Sequence, residues 1–272
     1  MIKICKFLYI HWLFLLLLVF CYINRQLELL FVSYLIMLIH ELAHLFAAKN
    51  LGLKSSYIVI YPFGVNLRLK NTILYSITDE IILYISGPIA NILMALLALP
   101  FLNKSVLIYD FYIKNIALFL INLLPLMPLD GGMIIKKVLL YKFGFDTSNL
   151  ISRVVSVTTL IFVSAFFGYL IYINNFNPYF CVFGAFIIGN ILVSREKYNT
   201  TLIKELIYCR KKHSRKKPYK AKVFGVCENV SSLDIVKKFN MSSNYFVIYT
   251  DNQSKVKEIM TEEEIINKLI SE

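Results

Sequence analysis

The sequence predicts an all-α polytopic membrane domain of about six transmembrane helices, followed by a small C-terminal α/β domain. Three observations predict it. Of the 272 residues, 58% are hydrophobic and only 17% charged, with a mean hydropathy of +0.64, which is far too apolar for a soluble domain of this length. Six apolar stretches approach the roughly 20 residues that carry a helix across the hydrocarbon. After Val193 the composition turns abruptly polar.

The six stretches run over residues 8–23, 29–48, 81–102, 115–135, 154–173 and 178–194. The first has no small-residue cleavage site and is followed at once by the second, so it is expected to be retained. His11 and Trp12 near its start suit the headgroup level, where amphipathic rings anchor helices. Between the second and third stretches, residues 55–72 alternate in a way that predicts a hairpin close to the membrane. Gly87 and Pro88 in the third stretch open either a packing kink or a break admitting water or a substrate backbone, with Asn91 placed to satisfy a freed carbonyl. The fourth contains Asn122, Pro125, Pro128 and Asp130.

Residues 195–217 form a basic linker containing Arg210, Lys211, Lys212, Arg215, Lys216 and Lys217, suited to lie against anionic headgroups. The tail, residues 218–272, predicts a strand over 222–226, a helix over 233–239, a hairpin over 245–250 and 255–260 around Asp251 and Asn252, and a closing helix over 262–270. Thr261 and Glu264 have the spacing of a capping box. A module of about 55 residues is marginal alone and is expected to need a partner copy or the membrane domain.

The net charge of +12 comes without any nucleic-acid recognition motif, and direct nucleic-acid binding is not expected. In a membrane protein, excess Lys and Arg marks cytoplasmic loops. Placing the N-terminus in the cytoplasm puts Lys3, Lys6, Lys49, Lys54, Arg68, Lys70, Lys136, Lys137, Lys142 and Arg153 on that side, against Arg25, Lys104 and Lys114 on the other. The second and fourth stretches then carry their polar clusters near the cytoplasmic end. The five cysteines are scattered and never spaced C-x-x-C, so neither a disulfide framework nor a thiolate metal site is expected.

His40-Glu41-Leu42-Ala43-His44 fits H-E-x-x-H, in which two histidines one helical turn apart share a face and both reach a zinc ion. Glu41, beside the metal, is placed to take a proton from water and deliver it to a leaving amine. A catalytic zinc takes three protein ligands, and Asp130 is the candidate for the third, its alternative role being a helix-end cap. Ionisable groups at such depth are costly enough to be functional by default. Read without further context, the same residues could instead line the ion path of a regulated membrane transporter or channel.

H-E-x-x-H in an early transmembrane stretch and Leu129-Asp130-Gly131 in a later one resemble the site-2 protease family of intramembrane zinc metalloproteases. Ser86-Gly87-Pro88-Ile89-Ala90-Asn91 resembles its G-P-x-x-N segment, and Tyr61-Pro62-Phe63-Gly64 its P-F-G loop, with Val65 where many members carry a second glycine. The six stretches and tail are similar to the stage IV sporulation protein FB group, whose C-terminal module is a CBS domain. The resemblance implies zinc ligands at His40, His44 and Asp130, a general base at Glu41, and active-site support or substrate contact from Asn122, Pro128, Gly87 and Asn91. It further implies a membrane-tethered sigma-factor precursor as substrate and membrane-embedded inhibitor proteins as partners. For the tail it implies an adenine nucleotide such as ATP at a CBS-like domain, and a homo-oligomer formed by pairing two such tails.

Overall fold

The structure is a computed structural model; it describes residues 2–5, 8–53, 56–62, 64–69, 77–173, 221–227, 230–239, 243–251 and 255–271. The expected sixth stretch (178–194), the basic linker and Asn252 lie outside the described residues. Two compact units divide the chain, Met1–Ile134 and Ile135–Glu272.

The first unit joins helices to a sheet. Helix α1 spans Trp12–Ile23, α2 Leu27–Asn50, α3 Ile77–Ala98 with a 3-10 extension to Lys104, and α4 Val106–Leu123, and α5 (Asp130–Phe143) begins in this unit, its residues from Ile135 onward belonging to the second. Strands β1 (Ile2–Cys5), β2 (Leu8–Ile10), β3 (Ser56–Tyr61) and β4 (Gly64–Leu69) form one sheet in the order β1-β2-β3-β4. The hairpin expected over residues 55–72 is β3–β4, paired antiparallel with Ile58 opposite Leu67.

Two expectations need correction. The unit is not purely helical, because Leu8, Tyr9 and Ile10 pair in parallel with Ile58, Val59 and Ile60. The apolar run that begins at residue 8 therefore starts as a strand, and His11 closes it by accepting the Leu13 amide at the start of α1. At 12 residues, α1 rises about 18 Å, short of the roughly 30 Å hydrocarbon. The stretch expected over 115–135 is likewise two helices. Pro125 and Pro128 cannot continue a helix, so α4 stops at Leu123 and α5 starts at Asp130.

Among the described residues, four helical segments are long and apolar enough to cross a membrane: Leu27–Asn50, Ile77–Lys104, Val106–Leu123 and Phe145–Phe166. Their outward faces are apolar, with Phe46, Leu97, Leu120 and Phe162 all exposed, whereas His40, His44, Asn91 and Asn115 are buried. A soluble protein reverses this arrangement. Polar interior and apolar exterior are what lipid as the outer solvent selects.

In the second unit, α6 (Phe145–Tyr172) precedes the tail elements β5 (Ala221–Cys227), α7 (Ser232–Lys237), β6 (Asn244–Thr250), β7 (Val256–Thr261) and α8 (Glu262–Ser271). The tail elements follow the expected strand, helix, hairpin, helix order. Strand β6 is central, parallel to β5 and antiparallel to β7. Its alternate residues Tyr245, Val247 and Tyr249 are buried against Ile235, Val236, Phe239, Ile265 and Ile266. Leu140 of α5 and Phe145 of α6 belong to the same core, so the helix corner supplies apolar area that a module this small lacks. Gly144 makes that corner with φ +85°, and a Cβ there would lie 2.9 Å from the carbonyl oxygens of Lys238 and Phe239. At α8, the Glu264 amide bonds Thr261 Oγ1 while Glu264 Oε2 accepts the Thr261 amide at 2.7 Å, completing the expected capping box.

Candidate metal centre

The centre is built from α2, α3 and the first residue of α5. One helical turn separates His40 from His44, which brings their Nε2 atoms to 3.2 Å. Asp130 Oδ2 lies 3.2 Å from His40 Nε2 and 3.3 Å from His44 Nε2. Among the described residues these three make up a group able to hold a metal ion.

Each imidazole is held from behind by α3. His40 Nδ1 donates to Asn91 Oδ1 at 2.8 Å, and His44 Nδ1 donates to the Leu83 carbonyl at 2.7 Å, with Ser86 Oγ 3.1 Å away. A carbonyl oxygen only accepts, so the proton sits on Nδ1 and leaves Nε2 bare. Two bare imidazole nitrogens and a carboxylate oxygen then face one another, and Asp130 Oδ2 is buried with no hydrogen-bond donor. Three converging lone pairs in a low-dielectric interior call for a cation between them. Zinc bonds of 2.0–2.1 Å in tetrahedral geometry separate ligand atoms by about 3.3 Å, which matches the sides of this triangle. Two imidazoles and a carboxylate are also a donor set that suits zinc.

Close approach of α3 to these rings needs Gly87. A Cβ there would lie 2.6 Å from His40 Cε1 and 2.7 Å from His40 Nε2, and would overlap His44 Nε2. Gly131 and Gly132 do the same for Asp130: a Cβ on Gly131 would meet the Leu123 carbonyl, and one on Gly132 would come within 2.6 Å of the Leu126 carbonyl oxygen. The two glycines let α5 begin hard against the turn after α4, which puts the Asp130 carboxylate at the triad.

Glu41 does not join the triangle. Its Oε2 accepts the main-chain amide of Leu67 in β4 at 2.8 Å. Pro128 sits in the turn just before Asp130, after a cis peptide bond. Asn122 bonds back into its own helix, Nδ2 donating to the Leu118 carbonyl. Three groups lay outside the sequence reading: the Leu83 carbonyl, the Leu67 amide, and Tyr34, whose hydroxyl bonds the carbonyls of Tyr61 and Pro62. Only Tyr34 left a signal, being seven residues before Glu41 on the same helix face.

No family model matches the chain. A zinc metalloprotease of Methanocaldococcus jannaschii is 30% identical over 131 residues, covering 46% of this chain and 37% of the relative. Stage IV sporulation protein FB of Bacillus subtilis is 30% identical over 107 residues, covering 37% of this chain and 36% of the relative. The matches thus span less than two-fifths of either curated relative. Among solved structures, a site-2 protease from Methanocaldococcus jannaschii shares the fold with a TM-score of 0.53 at 22% identity, covering 70% of this chain and 91% of that one. With four such apolar helices among the described residues, the chain is an integral membrane protein.

Proposed function

We propose, from its likeness to a zinc metalloprotease and to stage IV sporulation protein FB and from the fold it shares with a site-2 protease, that this chain is an intramembrane zinc metalloprotease of the site-2 protease type, which hydrolyses a peptide bond in or next to the membrane. The observation that carries this reading is the triangle of His40, His44 and Asp130, with sides of 3.2 to 3.3 Å and no donor of its own. In it His40, His44 and Asp130 hold zinc, whose chemistry there is to acidify water and to polarise the scissile carbonyl. Glu41 takes the proton of the attacking water and returns it to the leaving nitrogen. Asn91, Leu83 and Ser86 keep both imidazoles in one tautomer and orientation. Gly87 keeps the space in front of them clear, and Pro128 shapes the turn that delivers Asp130. Asn122 supports the site from the end of α4. A triangle this tight grips a cation rather than passing it along, so the transporter or channel reading is not favoured.

The substrate in this reading is a membrane-tethered protein, in particular a sigma-factor precursor held by its pro-sequence; the likeness to stage IV sporulation protein FB supports it. A transmembrane protease domain over residues 1–194, a basic linker over 195–217 and a single CBS-like domain over 218–272 complete the proposed organisation, with both termini and the active-site side in the cytoplasm. The loop charge bias supports that orientation. Membrane-embedded inhibitors, pairing of two tails and an adenine nucleotide on the tail belong to the same proposal.

Metal content and cleavage, measured together on purified wild type, Glu41→Gln and Asp130→Ala with the tethered precursor, test it. Cleavage by wild type alone, with zinc kept in Glu41→Gln and weakened in Asp130→Ala, is expected. Cleavage retained by folded, zinc-loaded Glu41→Gln would sink the assignment of the base. Full zinc with no cleavage by wild type would instead overturn the substrate.

A further inference from the structure

Three side chains on α2 meet the β3–β4 hairpin in order. Tyr34 Oη donates to the carbonyls of Tyr61 and Pro62 at 2.8 and 2.7 Å. Met37 lies under the turn, its Sδ 3.6 Å from where a Gly64 Cβ would be. Glu41 Oε2 accepts the Leu67 amide. Positions 34, 37 and 41 are spaced i, i+3, i+7, one face of a helix.

The strand is also placed to give up that amide. β4 is an edge of the sheet, and its register with β3 is unbroken from Leu69 to Gly64. In an antiparallel ladder, alternate residues direct N–H and C=O to the partner strand and away from it. The Leu67 amide goes to Glu41, so Leu67 is one of the outward-directed residues. Its bond to a carboxylate costs the sheet no ladder bond.

We propose that the main-chain amide of Leu67 is the positioning group for Glu41, and that the Tyr34, Met37 and Glu41 stripe sets β4 in the register that presents it. The idea rests on reading Glu41 as the general base. A carboxylate with one oxygen fixed by an amide keeps one orientation and leaves its second oxygen for proton transfer. A charge-assisted bond of this kind is roughly twice as strong as a neutral one, so a neutral carbonyl arriving at the strand edge does not displace it. Glu41 is therefore held in place as the substrate arrives, and β4 carries the base as well as an edge.

The test uses the full chain in detergent micelles. Backbone hydrogen exchange at Leu67, in metal-free and zinc-loaded protein, is expected to be at least about tenfold faster in Glu41→Ala than in wild type, since nothing then protects that amide. Equal exchange overturns the proposal, and this arm needs no substrate. Replacing the Leu67 amide by an ester, through incorporation of leucic acid, removes the donor and keeps the side chain. kcat on the tethered precursor is expected to fall about tenfold to a hundredfold, with KM and zinc content unchanged. An unchanged kcat overturns positioning even if the exchange result holds. Tyr34→Phe is expected to speed Leu67 exchange and lower kcat in the same direction, and no change in either removes the stripe from the proposal. If zinc-loaded wild type cleaves nothing, the substrate assignment fails by itself while the exchange comparison still decides this one.

Discussion

Asn91 on α3 accepts the Nδ1 proton of His40 on α2 at 2.8 Å, across 51 positions of sequence. Asn91 is fully buried, and its amide nitrogen has no partner among the described residues. Its carbonyl oxygen is thus what justifies a buried polar group there. Asn91→Leu is expected to keep the helices packed but free the His40 ring, lowering zinc affinity about 10- to 100-fold. Competition with a chelator measures it, and an unchanged affinity would mean that the imidazole is held by packing alone.

Gly87→Ala is expected to be more damaging than any ordinary glycine substitution in a helix. The new methyl would overlap both imidazoles, and the rings cannot retreat without breaking the bonds to Asn91 and Leu83. Overpacking of this kind costs about 1–3 kcal/mol, and here it also removes the metal triangle. Loss of stoichiometric zinc from protein that still extracts as a folded species is the expected outcome. Gly168→Ala on α6 is the comparison, because a Cβ there meets nothing within 4 Å. Zinc retained at wild-type affinity by Gly87→Ala would show that α3 stands further from the rings.

The metal centre was more legible than the sheet for a physical reason. His40 and His44 announce themselves by helical spacing, and Asp130 by being ionisable in a break made by prolines and glycines. These are side-chain signals. The Leu83 carbonyl and the Leu67 amide are main-chain groups that any residue supplies, so no residue type at 83 or 67 points to them. Strand β2 was hidden differently. An apolar triplet such as Leu8-Tyr9-Ile10 reads equally as the start of a helix until its parallel partner, 50 residues later in β3, is known. In the tail the alternation at Tyr245, Val247 and Tyr249 is strict, and the strand was found where the pattern put it.

Leu140 and Phe145 make the tail dependent on the helix corner before it. Both are nearly inaccessible, at 2% and 4% exposure, inside a core made otherwise from β6, α7, its flanking Phe239, and α8. Truncating a buried Leu or Phe to Ala costs about 2–5 kcal/mol, a large share of the stability of so small a unit. Leu140→Ala and Phe145→Ala are each expected to raise hydrogen exchange at Val247 and Ile265 strongly. A fragment of residues 218–272, lacking both side chains, is expected to show no cooperative unfolding as a monomer. A sharp two-state transition from that fragment would show that the corner is an accessory rather than part of the core.

The capping box at α8 gives the tail a pH dependence with a definite sign. The Thr261 amide, and after it the Thr261 hydroxyl, hold the Glu264 carboxyl below its ordinary value. A carboxyl whose folded-state value is depressed contributes stability that is present above its unfolded value, about 4.3. That contribution fades as pH falls through the lower folded value. Asp234, lowered by its bond to Lys237 and then by Ser231, acts in the same direction at α7. Both groups are exposed and the effect is small, so it is read as a difference. Exchange rates in α8 of wild type and Glu264→Gln, corrected for intrinsic chemistry, are expected to differ at pH 6 and to converge as pH falls below about 4. Thr261→Ala removes the hydroxyl partner while leaving the backbone amide, and is expected to reduce the difference without abolishing it. A gap between wild type and Glu264→Gln that persisted unchanged to low pH would show that the carboxylate's charge is not what stabilises the first turn of α8.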